Sequence, residues 1–452
     1  MLVLAFDHFF HQDLQALEAG LDAGDRLVSL PYRRLHKVAL RHFGPDAFET
    51  LDAPFAPGNT KRWASFERDA ARFTEWLDAA YQPSVFVVPN DGFFYLRPVI
   101  ARFRELGVAT VVVQKETTIA PLTMDEDSQV ILRHTPFMAD QMTVCSERHR
   151  EFAVRTGAPP DKVVVTGQPR FDFYAEARAR RTAGHGTRSI LYLSYDDLSY
   201  LPADGSLGSW RVLRAETEQA LAAVAADPSA TVVVKHHPQQ QARDDVLGDR
   251  AVRAARDADT RSLIAEADVV VGFQTTALFE AAVAGKPILY PAWGPVYERA
   301  AQLLIPFADH PELARHVRSP TELSALLAPA TTLDPPGAAA LATAEEHLGP
   351  VDGHATQRVL AVIRRHAHPH QVTGRLPDAR QVVGALLRTA GAPLAAAAAV
   401  FLRIGRRPSL AAAASRHARY WWQEAAEGAQ IIRRRMAQVA GRGGGGGRSP
   451  NR

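Results

Sequence analysis

Cysteine is almost absent. A single cysteine, Cys145, among 452 residues rules out any disulfide within the chain and fits a reducing compartment. Spaced Cys and His sets are missing too, which argues against zinc. Long apolar runs are lacking: the longest, "APLAAAAAVFL" from Ala392 to Leu402, falls well short of the roughly 18 residues that a membrane helix needs. An integral membrane protein is therefore not expected. The opening "MLVLAFDHFFHQ" has no basic leader and reads as a first strand, not a secretion signal. A net positive charge is also lacking outside the C-terminal tail. The formal net charge is +3, but the residues from Arg403 onward hold 11 Arg, no Lys and two acids. Removing those nine charges leaves −6 on the preceding 402 residues, and a mildly acidic body is not a nucleic-acid-binding core.

What is present describes a globular chain, with 46% hydrophobic and 22% charged residues. The length suggests about three domain-sized units. Val-rich runs alternate with amphipathic stretches, the pattern of βαβ units around a parallel sheet. "MLVLAF", "RLVSL", "SVFVVP", "ATVVVQ", "QMTVC" and "KVVVTG" are the strand candidates of the first half. After a charged, Gly-containing linker at Ala177–Arg188, the pattern restarts with "SILYLS", "ATVVVKH", "ADVVVGF" and "KPILYP". The expected fold is α/β, with two Rossmann-like, doubly wound parallel-sheet domains at 1–178 and 188–365. A basic helical extension is expected at 366–440, and a disordered Gly/Arg tail at 441–452.

Ligands of open α/β sheets bind beyond the carboxyl ends of the strands. Three such ends carry unusual polar residues. In "ADVVVGFQTTALFEAAVAGKP" a buried strand stops at Gln274, Thr275 and Thr276, and a helix follows from Ala277. Either threonine can cap that helix, or the pair can help its N-terminus hold a phosphate. Glu280 stands four residues after Thr276, one too many for a capping box. Its carboxylate, aimed back at the strand ends, can accept two ribose hydroxyls. In "ATVVVKHHP" the strand runs into Lys235, His236 and His237, where positive charge can meet a diphosphate leaving group, or simply form a surface corner. In "VVVTGQPRFDFY", Gly167 permits a tight turn and Arg170 emerges beside the linker, either to clamp an anionic donor or to make an interdomain ion pair.

Together these segments resemble the GT-B glycosyltransferases that use nucleotide-activated donors, and especially the bacterial surface-polysaccharide enzymes that include the CDP-glycerol glycerophosphotransferases. "VTGQPRFD" is similar to that group's T-G-x-P-R-x-D turn, and "VVVKHHP" to its K-x-H-P strand end. "GFQTTALFEAAVAGKP" matches the hydroxyl pair, helix and Gly-x-Pro ending, and "VDGHATQRVL" the D-G-x-A-x-x-R helix opening. The resemblance spans roughly Ser84 to Ile363. It implies two domains facing across a cleft, an acceptor domain first and a nucleotide-donor domain second. Thr275 and Thr276 would lie on phosphate, Glu280 near ribose, and His237 by the diphosphate. Three departures stand out. Gly272 replaces a second Glu of many retaining enzymes. Thr-Thr and a single Glu replace the Gly-Gly and paired Glu of nucleotide-sugar 2-epimerases. "VVVQKETT" replaces a His-Gly after the fourth strand.

The implied activity is direct displacement, without a metal or other cofactor, that moves a sugar or polyol phosphate from a nucleotide donor to a polysaccharide or lipid-linked acceptor. A general base is expected from the first half: Glu116, Asp91 or His8. The Asp196–Asp197 pair, alone, is a poor metal site. In the tail, Tyr420, Trp421 and Trp422 among arginines suit either an anionic membrane surface or a solvated basic helix. The expected location is the cytoplasm, with possible attachment to the inner membrane face. The alternatives are a nucleotide-sugar 2-epimerase and a non-catalytic nucleotide-binding module.

Overall fold

A computed structural model of the chain describes residues 1–368 apart from 8–9, 49, 116–123, 180–186, 196–206, 238–245, 256, 296 and 298–306. His8, Glu116, the Asp196–Asp197 pair and nearly all of the C-terminal extension lie outside the described residues. The chain divides into two compact units. Of the described residues, unit 1 contains those within Met1–Ile119 and Thr123–Phe173 and residues 345–368, and unit 2 contains those within Tyr174–Ala344.

Unit 1 is built on six strands: β1 (Leu2–Asp7), β2 (Arg26–Pro31), β3 (Val85–Val88), β4 (Thr110–Val113), β5 (Gln141–Val144) and β6 (Val163–Val165). Their order is β2-β1-β3-β4-β5-β6, and every pairing is parallel. All four residues of β3 and of β4 are buried, as expected for a parallel sheet covered on both faces. Alternation splits them cleanly. Phe86, Val88 and Val112 pack with Phe66, Leu77, Val99 and Phe103 on one face. Val85, Val87, Val111 and Val113 pack on the other with Leu14, Leu17, Val359, Leu360 and Ile363.

Those last three residues belong to the helix Ala355–His366, which the sequence pattern assigned to the second domain. The structure puts it in unit 1 instead, because its apolar stripe completes the second face of the first sheet. A boundary at 365 therefore gives way to a return of the chain near Glu345.

Unit 2 holds β7 (Arg188–Ser194), β8 (Ala230–His236), β9 (Val252–Arg253), β10 (Val269–Gly272), β11 (Ile288–Pro291) and β12 (Arg315–Val317). They are ordered β12-β11-β10-β7-β8-β9, again all parallel. This is the Rossmann order, with its topological switch between β7 and β10. Ile190, Tyr192, Val232, Val234, Val269, Val271 and Leu289 form the core with Leu221 and Leu323 from the covering helices.

Candidate functional site

The switch point of unit 2 collects most of the polar residues expected from sequence. In the sheet register Gly272 pairs with Leu193, and Leu193 with Lys235. The chain leaving β10 at Gln274 and the chain leaving β8 at His236 and His237 therefore emerge from the same edge, on either side of β7. Neighbouring strands lie about 4.8 Å apart, so the strand ends carrying the two corners are separated by about 10 Å. Lys235 and His236 are buried, and the Lys235 Nζ donates to the Ala255 carbonyl at 3.2 Å. His237, one residue beyond the strand, is half-buried.

Gln274 is a non-glycine residue in the left-handed region, with φ of 49°. Such a backbone costs about 1–2 kcal/mol and persists where its surroundings hold it. Here the side chain is 2% exposed and donates through Nε2 to the Tyr290 hydroxyl at 2.9 Å. Thr276 occupies the N-cap position of the helix Ala277–Val283, but its side chain makes no capping bond. Thr275 does that job weakly, its Oγ1 accepting from the Ala277 N–H at 3.4 Å. Leu278, Phe279, Ala281 and Ala282 of this helix are buried, whereas Thr276, Ala277 and Glu280 form one half-buried stripe. The Glu280 Oε2 accepts a 2.6 Å hydrogen bond from the Tyr174 hydroxyl.

Gly272 is packed: a Cβ there would lie 3.1 Å from the Leu278 side chain and 3.4 Å from Leu193. No longer side chain fits without displacing that core. The missing second carboxylate is thus matched by the packing.

Gly167 and Arg170 belong to unit 1, as do Asp13, Lys115, Pro350 and Arg358 around them. Gly167 has φ of 73°, and a Cβ would meet the Pro350 carbonyl oxygen at 2.8 Å. Arg170 pairs through Nη1 with the buried Asp13 carboxylate at 3.0 Å, and its Nη2 donates to the Lys115 carbonyl. Two residues on, the Asp172 carboxylate accepts the Ala355 and Thr356 N–H groups at 2.9 and 2.8 Å, capping the returning helix. From that helix, Arg358 donates through Nε to the Thr166 carbonyl at 2.7 Å and forms a two-pronged ion pair with Asp352. The Arg358 hydrogen bonds hold the Asp352 carboxyl down at about 2. The T-G-Q-P-R-F-D turn and the D-G-H-A-T-Q-R helix opening are thus two halves of one internal lock.

Asp91 follows β3 in unit 1. It is 4% exposed, and its Oδ2 accepts the backbone N–H groups of Met138 at 2.7 Å and Ala139 at 3.1 Å. Burial raises its carboxyl above the ordinary value although those N–H groups pull it down. The carboxylate anchors the segment entering β5. Three residues that sequence reasoning passed over complete the picture: Asp13, Tyr174 and Tyr290. None gave a signal: Asp13 lies in the polar opening "HQDLQ" of a helix, where an acid is an ordinary first-turn residue, and the two tyrosines looked like ordinary core.

Each unit has a Rossmann-like parallel sheet between helices, and two such units are the composition of the GT-B class. The model of the family described as CDP-Glycerol:Poly(glycerophosphate) glycerophosphotransferase matches residues 110–365. The chain belongs to this family, which makes it a transferase working with a nucleotide-activated donor. Among solved structures, it is similar to the UDP-GlcNAc 2-epimerase of Methanocaldococcus jannaschii, with 12% identity, TM-score 0.47, and 80% of this chain and 99% of that one covered. The UDP-GlcNAc 2-epimerase of Neisseria meningitidis bound to UDP-GlcNAc gives 11% identity, TM-score 0.44, and coverage of 81% and 100%. The wall teichoic acid polymerase TagF gives 12%, TM-score 0.42, and coverage of 62% and 72%. No curated protein sequence matches the chain. Among the described residues no helix is long and apolar enough to cross a membrane, and no group of three or more His, Cys, Asp or Glu is placed to hold a metal.

Proposed function

We propose that the protein transfers glycerol phosphate from CDP-glycerol to a hydroxyl of a growing cell-surface polymer. The reading rests on family membership together with one observation: the Lys235–His237 and Gln274–Thr276 corners flank β7 at the switch point of unit 2. The acceptor oxygen attacks the phosphorus that carries glycerol, the bridging P–O bond breaks, and CMP leaves. The acceptor proton passes to a general base. Glu116 is the preferred candidate for that base, because the Asp91 carboxylate is already engaged with two backbone N–H groups.

Lys235 and His237 carry the charge that grows on the departing phosphate. Gln274, Thr275 and Thr276 offer polar groups to the diphosphate, and Glu280 accepts from the ribose. No metal is required in this scheme, and undiminished turnover in EDTA is its expected outcome. The basic extension, with Tyr420, Trp421 and Trp422, brings the enzyme to anionic lipid, where lipid-linked acceptors lie. Flotation with phosphatidylglycerol vesicles, with and without residues 403–452, tests that attachment.

The central experiment follows labelled glycerol phosphate from CDP-glycerol into polymer, with CMP measured alongside. Equal release of CMP and incorporation of label supports the reading. CDP binding without any transfer turns it into a silent binding module. Conversion of a nucleotide sugar in the absence of an acceptor gives the epimerase instead.

A further inference from the structure

Glu280 does not reach the switch point alone. Tyr174, third residue of the helix Asp172–Ala179, is fully buried in unit 2, and its hydroxyl meets the Glu280 carboxylate across 106 residues of sequence at 2.6 Å. Such a short O–H···O⁻ contact is charge-assisted and roughly twice as strong as a neutral hydrogen bond. Burial raises the Tyr174 hydroxyl well above its ordinary value, and the negative charges of Glu280 and Asp259 add to this against the opposing Arg261. The hydroxyl is therefore always a donor.

A buried tyrosine needs an acceptor, but a backbone carbonyl would serve that need without desolvating a charge. The acceptor here is a carboxylate on the half-buried stripe that also carries Thr276. Glutamate has three side-chain torsions and wanders when untethered. One firm bond restricts it to a narrow set of rotamers before any ligand arrives, and such preorganisation raises affinity by removing the ordering cost from the binding step.

We infer that Tyr174 is a positioning residue, holding the Glu280 carboxylate in the orientation that receives the ribose hydroxyls of the nucleotide donor. The inference rests on the donor reading of Glu280 given above. It adds specificity: the site tells a ribonucleotide from one lacking sugar hydroxyls because the carboxylate is held in place.

The test titrates CDP and 2′,3′-dideoxy-CDP into the wild type, Tyr174→Phe and Glu280→Ala, with KM and kcat for CDP-glycerol measured on each. The phenylalanine variant keeps the buried ring and removes only the hydroxyl. The wild type is expected to prefer CDP by about tenfold to a hundredfold, the range for hydrogen bonds to a charged group. Tyr174→Phe should lose most of this preference, raise KM about tenfold and leave kcat within about twofold, with a melting temperature near that of the wild type. Full retention of the preference in Tyr174→Phe, with its loss in Glu280→Ala, overturns the positioning role and leaves the donor reading standing. Retention in both variants overturns the two together. A Tyr174→Phe enzyme that melts early while keeping the wild-type preference shows a structural role only, and also overturns the inference.

Discussion

Two sheets of the same size and kind put their strand-end residues to different uses. In unit 1, Gly167, Arg170, Asp172 and Arg358 turn inward and meet one another or Asp13, closing the returning helix onto the first sheet. In unit 2, His237, Thr275, Thr276 and Glu280 remain half-buried along the edge where β8, β7 and β10 end. The strand orders explain part of the contrast. Unit 1 has its switch between β1 and β3 and must hold a helix from the far end of the chain. Unit 2 has its switch between β7 and β10, beside the polar corners. Motifs of equal prominence in sequence thus divide into one set that is tied up in building the fold and one that stays half-buried at strand ends.

The comparison can be tested at several points. Gly349 has φ of 75°, and a Cβ there would overlap the Cys145 carbonyl oxygen, a backbone atom with nowhere to move. Gly349→Ala should cost more than about 4 kcal/mol or leave no folded unit 1, seen in far-ultraviolet circular dichroism and expression yield. His237→Ala should lower turnover by about 100- to 1,000-fold while the melting curve stays in place, as expected for one lost contact to developing charge. A modest loss would move the leaving-group role elsewhere. Arg170→Ala strands the Asp13 carboxylate, 0% exposed, and should cost about 3 kcal/mol. CDP affinity of the folded fraction should be unchanged, and a strong loss of affinity would blur the division between the units.

Acid should separate the units further. His36, packed 4.4 Å from the Phe48 ring, is lowered to about 4 by burial, with the charges of Arg33 and Lys37 adding to the effect. His149, 2% exposed beside Cys145 and Ser146, is also lowered to about 4, chiefly by burial. Both folded-state values lie below the ordinary 6.5, so the unfolded chain takes up these protons first. Stability from the neutral histidines is complete above pH 6.5 and is lost as pH falls toward 4. At pH 5 each should cost about 1 to 2 kcal/mol. Pulse proteolysis in urea at pH 7 and pH 5 should show the unit 1 midpoint falling, and His36→Gln/His149→Gln should flatten that dependence. The smallest effect belongs to Thr275→Ala. Its long capping bond contributes about 0.5 kcal/mol, so the melting point should barely shift while CDP binding weakens.

Much of this architecture was legible before any coordinates. All six strands of unit 1 appear among the short apolar runs, as do β7, β8, β10 and β11. The sequence pattern missed β9 and β12, because "VR" and "RHV" are short and carry charged or polar residues, whereas the equally short β6 is an unbroken Val run. The polar corners of β8 and β10 were visible as abrupt ends of apolar runs. The assignment of the last helix failed for a different reason. Val359, Leu360 and Ile363 mark an apolar stripe, but a stripe does not say which sheet it will cover. Arg170 and Asp91 illustrate the same limit in charge: their partners lie 157 and about 47 residues away.

Local pattern by itself determined that this chain makes parallel strands between helices, that apolar runs end in Lys-His and Gln-Thr-Thr corners, and that the two halves share one plan. These properties depend on side-chain period and backbone preference, which act over a few residues. Tertiary structure alone decided that the returning helix belongs to unit 1, that Arg170 answers Asp13, and that Tyr174 holds Glu280. Such pairings join residues more than a hundred positions apart, and only the packing of sheets and helices brings their charges and hydroxyls within reach.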